Sequence, residues 1–492
     1  MTIKAIEQST FILNRTGANL EQNHIVFTVE RLVNKFWNHF EHLFHKPQTV
    51  GRPKKYKPPE LLGYYILCSL RSVTSCRKMA DILKNNDESL NYILKDKKPS
   101  KSTISKFKTD YELMIVEFFY FIVNIGLKLD LIGNEVIGID GTFIQANAGI
   151  NNRASRKELE LMEKTLKNLT ENEQNELKNF FDEAKKEKKT PLVKDLLKKF
   201  NKPSINLLKK SIKSKETIKN ALSFLNEMKK LHSPETDYDI NLNDPESRFM
   251  KNKKGISCYN YNLQVATDDK NHFIISMDLN IDANDRNQLI PMIESSIMSL
   301  GSKPKFFTVD NGYYNDQALY YCLTNEINII IPDQTEAQRN NDKPSKKLMP
   351  KKDFVHDRIS DTFMCPFGSI LTYQSKRRMN NKLWNVYSTD DCLYCEIKEF
   401  CTPKKTREIM EIANPLKQYL KDAYYSEKGQ QVYKRRGPIT ESQFGLLKAI
   451  RNFPGLKRKG VKKSRIDLLI EGICHNIKII HKNIDLSKIA EL

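Results

Sequence analysis

The run VIGID at 136–140, continued by GTFIQANA at 141–148, decides how this chain is read. Four small or branched apolar residues followed by a carboxylate have the look of a buried strand that ends in an acid, Asp140. A second short run, FFTVD at 306–310, has the same form and ends in Asp310. Between them, Tyr259, Tyr261, Leu263 and Val265 alternate with polar residues. After a polar turn Phe273, Ile275, Met277 and Leu279 do the same, so 259–280 reads as a β-hairpin. Asp285 stands where it would cap the helix that carries Leu289, Ile290, Met292 and Ile293, and INIIIP at 327–332 adds a strand. Strand, hairpin, helix, strand, helix, strand predicts an α/β fold with a mixed sheet.

Two insertions interrupt that rhythm. Residues 151–235 are Lys/Glu-rich with helical spacing, and residues 333–430 begin polar and then carry Cys365, Cys392, Cys395 and Cys401. Upstream, 1–130 reads as an all-α domain. Its short helices 75–85 and 100–110 read either as a helix-turn-helix or as part of an ordinary helical bundle, the second capped by Ser102 or Thr103 and offering Lys101, Lys106 and Lys108 to a DNA backbone. The expected organisation is thus 1–130 helical, 131–150 with 236–332 as the first parts of the core, 151–235 helical insertion, 333–430 Cys-bearing β-rich insertion, and 431–492 the last part of the core.

The chain has 492 residues, with 81 Lys+Arg against 60 Asp+Glu, a net charge of +21. At roughly 150 residues per domain this length allows about three domains. The longest apolar stretch, 115–127, contains Glu117 and is too short to span a bilayer, so no membrane role is expected. The N-terminus lacks a signal-peptide pattern, which points to the cytoplasm. Nine cysteines there argue for thiols or metal ligands rather than disulfides. The positive charge is concentrated at 434–465, which holds eleven Lys or Arg and one acid, Glu441. A solvated helix interleaves both signs, so this segment is expected to face the phosphates of nucleic acid.

Asp140, Asp310 and Glu441 are the candidate site. Three carboxylates brought together repel one another unless cations neutralise them, as magnesium does with oxygen ligands. Singly, each acid reads as readily as a turn residue or a helix-dipole partner. Cys392-x2-Cys395 is a zinc half-site that Cys365 and Cys401 would complete, the alternative being four reduced thiols. His39, His42 and His45 drift round an apolar helix and read as structural.

The blocks Asp140-Gly141-Thr142-Phe143-Ile144-Gln145-Ala146-Asn147-Ala148, Asp244-Pro245-Glu246-Ser247-Arg248-Phe249-Met250, Tyr261-Asn262-Leu263-Gln264 and Asp310-Asn311-Gly312-Tyr313 resemble those of DDE-type transposases of bacterial insertion sequences. The last block, from Tyr433 through Arg436 and Glu441 to Lys448, resembles the family's Tyr-x2-Arg-x3-Glu-x6-Lys signature, except that four residues separate Arg436 from Glu441. The resemblance implies a ribonuclease H-like mixed sheet flanked by helices, with Asp140, Asp310 and Glu441 holding two Mg2+ or Mn2+ ions. It further implies cleavage of double-stranded DNA at terminal inverted repeats and strand transfer into target DNA, by a homodimer or higher assembly. Tyr433, Arg436, Lys448, Arg451, Lys457 and Arg458, with Lys106 and Lys108, would contact that DNA. The alternatives are a ribonuclease H-like nuclease or resolvase that cuts without joining, and a DNA-binding protein of transposase origin that has lost the chemistry.

Overall fold

A computed structural model describes residues 20–44, 55–182, 202–230, 239–251, 255–332, 349–357, 360–379, 382–445 and 456–491. VIGID begins strand β1 (Val136–Gln145), whose first residues are buried on both faces, as a central strand covered on each side must be. The strand does not stop at Asp140. It runs five residues further because β5 (Ser257–Asp268) pairs with it antiparallel from Ile137↔Asp268 to Gln145↔Asn260.

On its other edge β1 pairs parallel with β7 (Phe306–Thr308), and that ladder ends at Gly138↔Thr308. Beyond β7 lies β8 (Ile329–Ile330), again parallel. The far side of β5 carries β4 (Arg248–Lys251) and β6 (Ile274–Asn280), both antiparallel. The expected hairpin is therefore β5–β6, and the sheet runs β6 or β4, β5, β1, β7, β8.

The N-terminal helices are α1 (Ile25–Phe44), α2 (Pro58–Leu70), α3 (Cys76–Ile82), α4 (Glu88–Leu94), α5 (Lys101–Asp110) and α6 (Glu112–Lys128). Helix α5 is capped by Ser100, not by Ser102 or Thr103: the Ser100 hydroxyl accepts from the Thr103 amide at 3.3 Å. One continuous core joins Phe36 and Phe118 of these helices to Ile137 and Leu263 of the sheet and to Ile470 and Ile477 near the C-terminus.

The helical stretch after β1 is closed at its base by β2 (Arg153–Ala154) on β3 (Ile240–Asn241). It consists of α7 (Arg156–Lys167), α8 (Glu171–Asp182), α9 (Lys202–Lys213) and α10 (Lys215–Lys230), with a separate core of Leu159, Met162, Leu177, Leu208 and Leu225. After β6 come α11 (Leu289–Leu300) and α12 (Asp316–Thr324). The cysteine-bearing part is an antiparallel meander of β9 (Val355–Asp357), β10 (Thr362–Met364), β11 (Ile370–Met379), β12 (Lys382–Ser388) and β13 (Ile409–Ile412), built on Phe354, Phe363, Leu371 and Tyr387.

The chain returns through α13 (Pro415–Tyr425) to α14 (Glu427–Gly445), then α15 (Val461–Asn483), which packs between α6 and β6. Asp244 and Glu246 fix the start of α15, accepting from the Gly460 amide at 3.0 Å and the Val461 amide at 2.7 Å. Among the described residues no helix is long and apolar enough to cross a membrane.

Candidate active site

Asp140 and Asp310 come together by strand register. Each lies two residues beyond the last parallel pair, Gly138↔Thr308: Asp140 within β1, Asp310 past the end of β7 at the start of the turn Asn311–Tyr313. Side chains alternate along a strand, so the Asp140 carboxylate belongs to the face of Gly138, and Arg436 reaches it and the Asp310 carboxylate together at the point where the two strands cease to pair. Sheet ends of this kind open the crevice in which α/β proteins hold ligands. Asp140 is thus mid-strand rather than at a strand terminus; only its pairing with β7 has ended.

Helix α14 covers that face. Gly138 is the point of contact: a Cβ there would stand 2.8 Å from Ile439 Cγ2 and 3.3 Å from Thr440 Cγ2. One turn earlier Arg436 extends to the acids, with Nη2 at 3.3 Å from Asp140 Oδ1 and 3.7 Å from Asp310 Oδ2. Arg436 was expected on DNA; it stands between the two carboxylates. Tyr433 lies half-buried one turn before it, edge-on to Tyr424 with ring centroids 5.1 Å apart.

Glu441 does not begin a helix but lies near the end of α14, which starts fourteen residues earlier at Glu427 and carries Pro438 internally. The side chain of Glu441 is outside the described residues, as are Lys448 and Arg451 altogether. Four positions after Arg436, where the signature has its acid, stands Thr440, whose hydroxyl donates to the Arg436 carbonyl at 3.0 Å.

A second group of polar side chains approaches β1 from the opposite face. Asp285 does not cap α11, whose N-cap is Gln288. Its Oδ1 instead accepts from Asn262 Nδ2 at 2.8 Å and Gln264 Nε2 at 2.6 Å. The Gln264 carbonyl oxygen accepts from the Tyr313 hydroxyl. Burial drives the Tyr313 phenol well above its ordinary value, and Asp285, Asp140 and Asp310 add to this while Arg436 opposes it, so the hydroxyl stays protonated and donates. Asn262, Gln264 and Tyr313 entered the sequence reading only as members of the family blocks and Asp285 only as a helix cap; none was expected to join the others at the site. The signal was the polar alternation of β5, in which Asn260, Asn262 and Gln264 are all buried.

The basic segment is more neutralised than its sequence indicates. Arg435 pairs with Glu135 at 3.1 Å and Asp269 at 2.8 Å, Lys462 with Glu112 at 3.2 Å and Arg465 with Asp278 at 3.2 Å. Arg458 and Lys108 share Asp467, at 3.1 and 2.6 Å. Lys108 is buried, its ammonium lying 5.4 Å from the centre of the Tyr65 ring, so the expectation of a DNA contact there is corrected. Its position in α5 turns it onto α15, whereas Lys106 two residues earlier faces solvent. Arg458 is likewise turned inward, while Lys457, Lys459 and Lys463 are exposed.

As to metals, no group of three or more His, Cys, Asp or Glu side chains stands in metal-holding geometry among the described residues. The donor chemistry nevertheless suits a hard cation: two carboxylates where β1 and β7 part already face one cationic atom, Arg436 Nη2. The four cysteines are free thiols. They lie close enough that Cys392, Cys395 and Cys365 help burial raise the Cys401 thiol, with Arg407 opposing, and the Phe367 amide donates to Cys365 Sγ at 3.4 Å.

Two family models match the chain. Residues 364–481 match one described as Transposase DDE domain, and residues 14–110 match one described as Transposase domain (DUF772). The first span contains Glu441 and the four cysteines; Asp140 and Asp310 lie outside both. No curated protein matches. Among solved structures, a piggyBac transposase synaptic complex with hairpin DNA aligns over 96% of this chain and 80% of that one, at 10% identity and a TM-score of 0.33, a likeness too slight to argue from.

Proposed function

We propose that this chain, two stretches of which match transposase family models, is an insertion-sequence enzyme of the DDE type that cuts transposon DNA ends and joins them to target DNA. The observation that carries this reading is the register of Asp140 and Asp310, side by side where β1 and β7 part. On this reading the sheet order β6, β5, β1, β7, β8, with its last two strands parallel to β1, is a ribonuclease H-like core. The acids Asp140, Asp310 and Glu441 would hold two Mg2+ or Mn2+ ions, which when bound supply charge neutralisation to an in-line phosphoryl displacement.

The chain's own residues prepare that chemistry. Arg436 lowers the cost of holding two carboxylates side by side. Helix α14, resting on Gly138, carries Arg436 and Glu441 together and so sets the distance between them and the strand acids. Tyr433, Lys448, Arg451, Lys457 and the exposed Lys106 would bind phosphates around this centre. Cys365, Cys392, Cys395 and Cys401 would hold a structural Zn2+ that fixes the meander. Two copies of the chain would hold the two ends.

The test uses supercoiled plasmid carrying the inverted repeats that flank the reading frame. Wild-type protein nicks at the repeats and joins the freed 3′ ends to a second DNA when Mg2+ or Mn2+ is added. D140N, D310N and E441Q bind the repeats but do not nick them. Nicking by D140N at the wild-type rate refutes the reading, and cutting without joining moves the assignment to a nuclease.

A further inference from the structure

Resting on that reading, we propose that Asp285 is a positioning residue for the reaction, acting through Gln264 and Tyr313 on the turn that carries Asp310. The argument begins with the space above Gly141, the residue after Asp140. A Cβ at 141 would fall 2.5 Å from Asp285 Oδ1 and 2.5 Å from Gln264 Nε2. Gly141 is therefore the opening through which the Asp285–Gln264 pair reaches the strand, on the face opposite Asp140.

An amide side chain has one donating end and one accepting end. Because Asp285 Oδ1 takes the Gln264 NH2 group at 2.6 Å, the Gln264 carbonyl end is directed to the Tyr313 hydroxyl. Asn262 donates to the same Asp285 oxygen at 2.8 Å and fixes the carboxylate from a second side. Tyr313 is fully buried and ends the 3-10 turn Asn311–Tyr313, which starts directly after Asp310. That turn is closed in turn by the Gly312 amide donating to Asp310 Oδ1 at 2.8 Å.

The chain of contacts thus runs from Asp285 through Gln264 and Tyr313 to Asp310. It passes against Gly141, next to Asp140, and Asp285 Oδ2 lies 3.6 Å from where a Cβ at Gly312 would stand, so one carboxylate lies beside both acid-bearing segments. An ordinary surface aspartate would be solvated or capping a helix; this one takes two side-chain amides and leaves the adjacent helix to a glutamine cap without a side-chain hydrogen bond.

The experiment compares full-length wild type, D285A, D285N, Y313F and D140N. It measures Mn2+ binding calorimetrically without DNA, affinity for the repeat DNA, and the Mn2+-dependent nicking rate. D285A is expected to lose about tenfold in Mn2+ affinity and about a hundredfold in nicking, the scale of a 1 Å misplacement, with DNA affinity within twofold. D285N keeps an oxygen at the accepting position, so it recovers nicking to within about tenfold of wild type.

Y313F, which removes one hydroxyl from an otherwise intact ring, breaks the last link and lowers nicking about tenfold; it serves should D285A fail to fold. Nicking by D285A or Y313F within threefold of wild type, unchanged Mn2+ affinity in D285A, or no recovery in D285N overturns the proposal. If D140N also nicks, the proposed function itself has failed; if D140N is inactive, only the role of Asp285 has.

Discussion

Replacing Gly138 by alanine tests whether helix α14 is set by its contact with β1. The added methyl would stand 2.8 Å from Ile439 Cγ2 and 3.3 Å from Thr440 Cγ2. Saturated carbons pack at about 3.5–4.0 Å, so the helix has to withdraw by roughly 1 Å. Overpacking of this kind costs about 1–3 kcal/mol. The larger effect falls on chemistry, because Arg436 and Glu441 move with the helix while Asp140 and Asp310 stay on the strands. A 1 Å misplacement of reacting groups costs on the order of a hundredfold in rate.

The G138A protein should therefore nick repeat DNA about a hundredfold more slowly at nearly unchanged DNA affinity, with its thermal midpoint lowered. I439A alone opens a cavity at a buried site, at a cost of about 2–5 kcal/mol. In G138A/I439A the two changes offset each other, so the double mutant should be less destabilised than the singles predict and should regain part of the nicking rate. Wild-type nicking by G138A, or strictly additive penalties in the double mutant, would refute the reasoning.

Four further outcomes are expected. Burial pushes the Glu411 carboxyl up, but Lys351 at 2.8 Å and Lys421 at 3.1 Å outweigh it and hold it at about 2. Its folded value lies below the ~4.3 of an unfolded glutamate, so its contribution to stability is complete above that pH and is lost as the pH falls towards 2. Trp384 emission in a W37F background should report unfolding of the meander over that interval, and E411Q should flatten the dependence; an unchanged E411Q profile counts against the pairing. K108A should destabilise the junction of α5 and α15 by about 2–4 kcal/mol, tempered by the second partner Arg458 of Asp467, and leave DNA affinity unchanged. K106A should instead weaken DNA binding without loss of stability and reduce the salt dependence by about one counterion, as anisotropy titrations at several salt concentrations would show. Protein purified from zinc-supplemented culture should carry about one zinc per chain by mass spectrometry, lost in C392S/C395S; a zinc-free wild type excludes the structural site.

The residues legible in the sequence were those whose partners are local or whose pattern is periodic. VIGID and the FFT of FFTVD read as strands because they are largely buried on both faces, and the β5–β6 hairpin read from its alternation. The second half of β1 did not, since GTFIQ has the composition of a turn and becomes strand only through its five register pairs with β5. Asp285 was misread for the same reason: a local window sees a capping acid before a helix, while its partners Asn262 and Gln264 are more than twenty residues back. Lys108 and Arg458 look like phosphate contacts until Asp467 is found between them, 359 residues from the first and nine from the second.

These long-range pairings also explain why the acids can sit where they do. Two ionised carboxylates brought together where two strands part repel one another and oppose folding unless a cation stands close. Arg436 is that cation among the described residues, and it comes from the helix that also carries Glu441. A helix carrying both a cation and a further acid cannot move towards or away from the strands without changing the charge balance of the site. The absence of a side chain at Gly138 is what lets α14 lie close enough for Arg436 to serve both aspartates. The five-residue step from Arg436 to Glu441, about 140° round an ideal helix, makes that placement sensitive to the path of the helix through Pro438. P438A should accordingly alter nicking far more than DNA binding, because a straightened α14 rotates Glu441 relative to an Arg436 that the two aspartates hold in place. Equal losses in both would show that the proline shapes only the surface that grips DNA.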